Sequence, residues 1–286
     1  MDMTRRLAMK GALTAASALP LSACATATPP SSVSGGIAPD DEAYWSRIAA
    51  QYDVTDEVTN LENAYWGLMS RPVLDAYIRN TERVNRENSF YARRKYNSDI
   101  LPIHARVASL LGTGTDEIIL TRGATEALQG LIGGYRGLKP GDAVMYADLD
   151  YDSMLTAMDT LAERNACSVV RLAIPEPVTH DELLAFYADA LTANPQVRLL
   201  LLTHVSHRTG LVMPIREIVA MAREQGVDCI VDAAHSWGQL DFTVYDLGAD
   251  FIGFNMHKWI GAPLGVGIMY IRKGRLESIA PNISER

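Results

Sequence analysis

From about residue 105 onward, short apolar runs rich in β-branched residues alternate with longer amphipathic stretches. That alternation confines the chain to an α/β fold, a mostly parallel sheet with helices on both faces, because parallel neighbours must be joined by crossovers that pass over the sheet. Six strands are expected, at 143–147, 168–173, 197–205, 228–232, 251–255 and 266–271. The amphipathic stretches 125–135, 153–164, 181–192 and 215–225 have the spacing of crossover helices. In such sheets ligands collect beyond the carboxyl ends of the strands, at the N-termini of the helices that follow. Asp232 closes one of these strands, His257 and Lys258 follow another, 204–210 ends a third, and Gly123, Ala124 and Thr125 open a helix.

Hydrophobic residues make up 48% and charged residues 21% of the 286 positions, the balance of a globular protein with a substantial core. A net charge of −8 with no concentrated basic stretch argues against a nucleic-acid partner, since neutralising phosphates requires a basic surface. A small-molecule reaction is the better expectation. Cys167 and Cys229 lie in strand-like apolar runs and are read as buried thiols rather than a disulfide framework. No metal-ligand set is read, and no Gly-x-Gly-x-x-Gly joins a strand to a helix as a dinucleotide site requires.

An acid emerging from the apolar run 228–232 and a lysine emerging from 251–258 together suit pyridoxal 5′-phosphate (PLP). A lysine amine forms a Schiff base with the aldehyde of PLP, and a carboxylate against the pyridine nitrogen keeps that nitrogen protonated and the ring electron-withdrawing. Lys258 and Asp232 are the candidate catalytic pair. Taken singly, each residue would be read as an ordinary solvated lysine or a turn-capping aspartate.

The motifs Thr121 to Ala127, Leu138-Lys139-Pro140-Gly141-Asp142 and Asp150-Tyr151-Asp152-Ser153 resemble the class V aminotransferase-like enzymes in order and spacing. Thr203 to Gly210, Val231 to His235 with Gly238-Gln239, and His257-Lys258-Trp259 continue the pattern. Within that group the chain looks most like the isopenicillin N epimerase-like proteins. The resemblance implies the large domain of the fold type I PLP-dependent transferases, an amino-acid substrate and a homodimer. It places Gly123, Ala124 and Thr125 at the cofactor phosphate, Tyr151 on the pyridine ring, and Ser206 on the O3′ side. His235 would support the phenolic oxygen or the phosphate, His257 would stand on the phosphate side, and Asn255 falls where relatives often carry a hydroxyl ligand. Asn63 and Tyr65 would line the substrate mouth, although 63–67 reads equally as a tight turn with two packed aromatics. Transamination, epimerisation and β-elimination all remain open. Desulfuration is disfavoured, because neither strand-borne cysteine suits a reactive loop. A non-enzyme alternative is an exported PLP-fold binding protein or inactive fragment without turnover.

Ahead of this enzyme-like part, Arg5 and Arg6 precede a small-residue apolar run and Leu21-Ser22-Ala23-Cys24. Residues 1–24 are read as a twin-arginine export signal ending in a lipoprotein-like site, with Cys24 as the membrane anchor and the periplasm as destination. Residues 25–40 read as a flexible tether, 41–104 as an N-terminal segment reaching the substrate mouth, and 105–275 as the PLP-binding domain. Residues 276–286 are expected to begin a truncated C-terminal region, since relatives carry a small domain there.

Overall fold

The computed structural model describes residues 38–281. The signal and Cys24, most of the tether, and residues 282–286 lie outside the described residues. Three helices lead in: α1 (Glu42–Ala49), α2 (Arg71–Arg94) and α3 (Tyr96–Leu111). The last runs unbroken across 104/105, where the N-terminal segment was expected to give way to the domain. Then come β1 (Ile118–Thr121), α4 (Ala124–Gly134), β2 (Ala143–Ala147), α5 (Asp152–Arg164), β3 (Ser168–Leu172) and α6 (His180–Ala193). They are followed by β4 (Val197–Thr203), α7 (Ile215–Glu224), β5 (Asp228–Asp232), α8 (Val244–Leu247), β6 (Phe251–Asn255) and β7 (Gly267–Ile271).

The seven strands form one sheet in the order β1-β7-β6-β5-β4-β2-β3. The pairs from β3 across to β6 are parallel, and β7 runs antiparallel to both β6 and β1. Successive strand residues point to opposite faces, and two apolar layers follow from that alternation. On one face Val144, Tyr146, Leu199, Leu201 and Ile230 pack under Leu128 and Leu131 of α4 and Met154, Met158 and Leu161 of α5. On the other, Met145, Leu200, Leu202 and Val231 pack under Leu111 of α3, Leu183 and Tyr187 of α6, and Ile218 and Val219 of α7.

All six expected strands are present, with ends trimmed where a neighbour stops. Leu172 ends β3 opposite Ala147, the last residue of β2, and Thr203 ends β4 opposite Asp232, the last of β5. Strand β1 was not expected. It is four residues long, lies at the sheet edge and buries one of them fully, so it is too short to stand out as an apolar run. Cys229 is buried in β5, whereas Cys167 stands one residue before β3, half-buried, its thiol 3.2 Å from the Lys139 carbonyl oxygen. The expectation of a fully buried strand cysteine is corrected there: β3 is an edge strand and the thiol sits in the turn that enters it.

One backbone contact ties the sheet to the site. A methyl at Gly267 would lie 2.5 Å from both Cα and C of Gly123 and 2.7 Å from the Phe254 carbonyl oxygen, all immovable backbone atoms. Gly267→Ala therefore has to push β7 away from the start of α4. The expected loss is about 1–3 kcal/mol, the range for overpacking a tight interior, read as a lower midpoint of urea unfolding.

Candidate active site

Thr121, Asn255, Asp232 and Thr203 all end their strands on one edge of the sheet, and Gly267 begins β7 on that same edge. Beyond that edge opens a cavity of about 1840 Å³. Its wall includes Gly123, Ala124, Thr125, Tyr151, Thr203, Asp232, His235, Asn255, His257 and Lys258, with Tyr65 and Trp66 at its outer side. The sheet reverses its winding between β4 and β2, because β3 lies outside β2 while β5 and β6 continue the other way. That reversal is the topological switch point where open α/β sheets hold ligands.

Lys258 Nζ lies 2.7 Å from His235 Nε2. Burial pulls the Lys258 ammonium below its ordinary value, against the opposing charges of Asp232 and Glu62. Burial, and then the Lys258 charge, drive His235 down to about 3, so its imidazole is neutral. Asp232 is 3% exposed, and its Oδ1 accepts the Ala234 amide at 2.9 Å. Burial lifts its carboxyl to about 6, even though that amide and Lys258 favour the charge.

At the start of α4, Gly123 supplies no capping side chain and Asn255 Oδ1 accepts the Ala124 amide at 2.7 Å. Asn255 is thus a helix cap reaching across from β6, and the next first-turn amides remain turned toward the cavity at the positive end of the helix dipole. The His257 ring carbon Cε1 stands 3.8 Å from where a Gly123 side chain would begin. Tyr151 follows β2 and meets His207, which follows β4, edge-on at 5.4 Å and 88°. The His207 ring also stacks toward His235 at 6.4 Å. Ser206 does not line the cavity: its hydroxyl accepts the amides of Arg208 and Thr209 at 3.2 and 3.3 Å within its own turn. Asn63 is exposed and also outside the lining, whereas its neighbour Glu62 is part of it.

Three contributors were not singled out from sequence. Thr203 and Glu62 line the wall, and Gly67 donates its amide to the His257 carbonyl at 2.9 Å. A side chain on Gly67 would collide with the Lys258 carbonyl oxygen at 1.8 Å. Thr203 was available as the polar residue ending an apolar strand beside Asp232; the Gly67 approach joins distant segments and has no local signal.

The arrangement passes a simple test of fit for PLP. A partly desolvated amine, a buried carboxyl and a helix N-terminus with free amides share one cavity, matching in turn an aldehyde, a ring nitrogen and a phosphate. Comparison with known proteins agrees. The aminotransferase class-V family model matches residues 70–284, so the chain belongs to that PLP-dependent family. Isopenicillin N epimerase of Streptomyces clavuligerus is 27% identical over 84% of this chain and 60% of its own length. A putative L-cysteine desulfhydrase of Oryza sativa subsp. japonica is 36% identical over 46% of this chain and 29% of its own. Among solved structures, a lysine mutant of C-DES with glycine covalently linked to its PLP cofactor superposes with a TM-score of 0.75 at 22% identity. That match covers 82% of this chain and 61% of C-DES, and at such identity it speaks for the fold. The chain thus spans less than two thirds of the length of these relatives.

The raised Asp232 value has a consequence for stability. Its folded value, about 6, exceeds the ordinary 3.8, so the folded state binds the proton more tightly. The associated stability is present below about pH 4 and is lost as pH rises through about 6. In the cofactor-free protein Asp232→Asn should unfold at higher temperature than the unaltered chain at pH 8, with the gain vanishing toward pH 4. A gain independent of pH would contradict the assignment.

Proposed function

We propose that the chain acts on an α-amino acid through Lys258, by aminotransferase or epimerase chemistry. The observation that carries the reading is the partly desolvated Lys258 amine, 2.7 Å from a neutral His235, in the same cavity as the buried Asp232. PLP supplies an aldehyde that condenses with amines as a Schiff base and a ring that stabilises negative charge at Cα. Burial favours the neutral form of Lys258, the form with a lone pair, which suits both attachment and removal of a Cα proton. Asp232 keeps the ring nitrogen protonated, and the start of α4 with Thr125 receives the phosphate. Tyr151 would stack on the ring, and His235, beside Lys258 Nζ, would support the phenolic oxygen or the phosphate.

β-Elimination is the second reading, favoured by the names of two relatives: the rice L-cysteine desulfhydrase and the cystine C-S lyase C-DES. Persulfide-forming desulfuration is less favoured, since Cys167 enters β3 at the end of the sheet away from the cavity and Cys229 is enclosed in β5. The PLP-loaded protein should show a visible absorption band that shifts on adding an amino acid. Loss of Cα deuterium with inversion or with keto-acid formation would support the first reading, and sulfide release from cysteine the second. Asp232→Ala should lower either turnover by more than about 100-fold, as when an electrostatic stabiliser worth about 3 kcal/mol is removed. An amino-acid-insensitive spectrum would instead support a binding protein without turnover.

We also propose a homodimer, supported by apolar side chains left exposed along α2 and α3, among them Tyr77, Ile78, Phe90 and Leu101. Export by the twin-arginine signal with lipidation at Cys24 is likewise proposed, supported by the order of residues 1–24. Cell fractionation tests it: Cys24→Ala should release the protein from the membrane fraction, and a cytoplasmic protein retaining its first residues would contradict the reading.

A further inference from the structure

One short turn builds the outer side of the cavity. Glu62, Ala64, Tyr65 and Trp66 all line it, and the Tyr65 amide donates to Glu62 Oε1, which holds the carboxylate beside the main chain that carries the two aromatic side chains. The Tyr65 and Trp66 rings lie 5.8 Å apart, tilted by 39°, and both are mostly exposed. One residue further on, the Gly67 amide donates to the His257 carbonyl at 2.9 Å, so main-chain packing fixes the turn against the lysine loop. Two ring faces and a carboxylate therefore stand together at the outer side of the cavity that holds Lys258.

The carboxylates lining the cavity are Glu62, Glu126, Asp232 and Glu277. Asp232 is buried. Glu126 is closed off by Arg122, whose Nε and Nη2 donate to it at 3.1 and 2.8 Å. Glu277 precedes Ser278, whose carbonyl accepts the Arg136 amide beyond the far end of α4, about 15 Å along that helix from its cavity end. Arg136 and Arg164 stand at the same far end, Arg164 donating to the Gly133 carbonyl. Near Lys258 that leaves Glu62, which makes no ion pair among the described residues and whose charge acts on Lys258 itself. The cavity, about 1840 Å³, exceeds the roughly 300–1,000 Å³ of an ordinary ligand site, so it has room for a side chain beyond the reacting α-carbon.

We propose that Glu62, Tyr65 and Trp66 form a subsite for the cationic end of a substrate side chain, so that the chain prefers α-amino acids of the lysine, ornithine or arginine class to acidic ones. The inference rests on the reading of Lys258 as the amine that meets an α-amino acid. An ammonium or guanidinium group is attracted both by the negative faces of the two rings and by the carboxylate beside them. An acidic side chain meets the same carboxylate and is repelled. Each contribution has the size of a solvent-facing contact, so together they amount to a preference of about fivefold to tenfold.

Reduced adducts of PLP with the α-amine of lysine, norleucine or glutamate test the subsite without turnover. Lysine and norleucine differ only by the terminal amine. Affinities for the cofactor-free protein, measured by calorimetry at low salt, should rank the lysine adduct first, the norleucine adduct about fivefold to tenfold weaker and the glutamate adduct last. The lysine-to-norleucine ratio should fall toward one in Glu62→Gln and in Trp66→Leu, and should shrink as salt is added. Glutamine keeps an oxygen to accept the Tyr65 amide, and taking the ratio within each variant removes any change common to the adducts. A ratio near one in the unaltered protein overturns the subsite. A ratio that survives both substitutions places the cation elsewhere and overturns it as well. If no adduct binds at all, the PLP reading fails and the subsite falls with it, whereas equal binding of all three sinks the subsite alone.

Discussion

Asp232 ends β5 with its carboxyl withdrawn from water and held by a single main-chain amide. Burying a carboxyl in this way is unfavourable unless something compensates the charged form. The cavity is arranged around that unmet need. Lys258 contributes favourable charge from the neighbouring loop, and Thr203 stands on the adjacent strand with its hydroxyl already engaged by Asp150. A cationic ring nitrogen is the partner that would complete the set. The same feature that depresses stability near neutral pH is what the proposed function would use to hold an electron-withdrawing ring.

Holding Lys258 opposite Asp232 falls to backbone packing rather than to side chains. Gly67 lies directly against the main chain of His257 and Lys258, and Gly238, with φ near +95°, leaves only 2.8 Å between a would-be side chain and the Trp259 carbonyl carbon. The lysine loop is therefore gripped between the N-terminal segment and the turn after β5. Because Glu62 belongs to the same segment and acts on Lys258, the outer rim of the cavity and the Lys258 amine are linked through both backbone packing and charge. Tyr65 and Trp66, 70% and 65% exposed, extend that rim outward.

The sheet was legible because its parallel strands are buried on both faces and read as continuous apolar runs; Ala143–Ala147 and Phe251–Asn255 fall at the expected residues. Asp232 and Lys258 were legible as polar residues at the ends of such runs, where a strand signal stops and a site begins. Strand β1 was not, since four residues at an edge leave no pattern longer than chance. The role of Asn255 as a cap for α4 depends on a hydrogen bond across 131 positions, which no local spacing encodes. Ser206 lies three residues beyond the end of β4, and its hydroxyl answers to its own turn, a choice set by backbone geometry. Asp150 was visible as part of a motif, but its burial and the hydrogen bond it accepts from Thr203, 53 positions away, were not.

The central claim is that Lys258 is the amine that holds PLP. Borohydride reduction of the PLP-loaded protein, followed by peptide mass mapping, tests it directly. The account predicts one stable pyridoxyl adduct, on the peptide carrying Lys258, and no adduct in Lys258→Ala. A reduced adduct on another lysine, or none when PLP is present in excess, would contradict it.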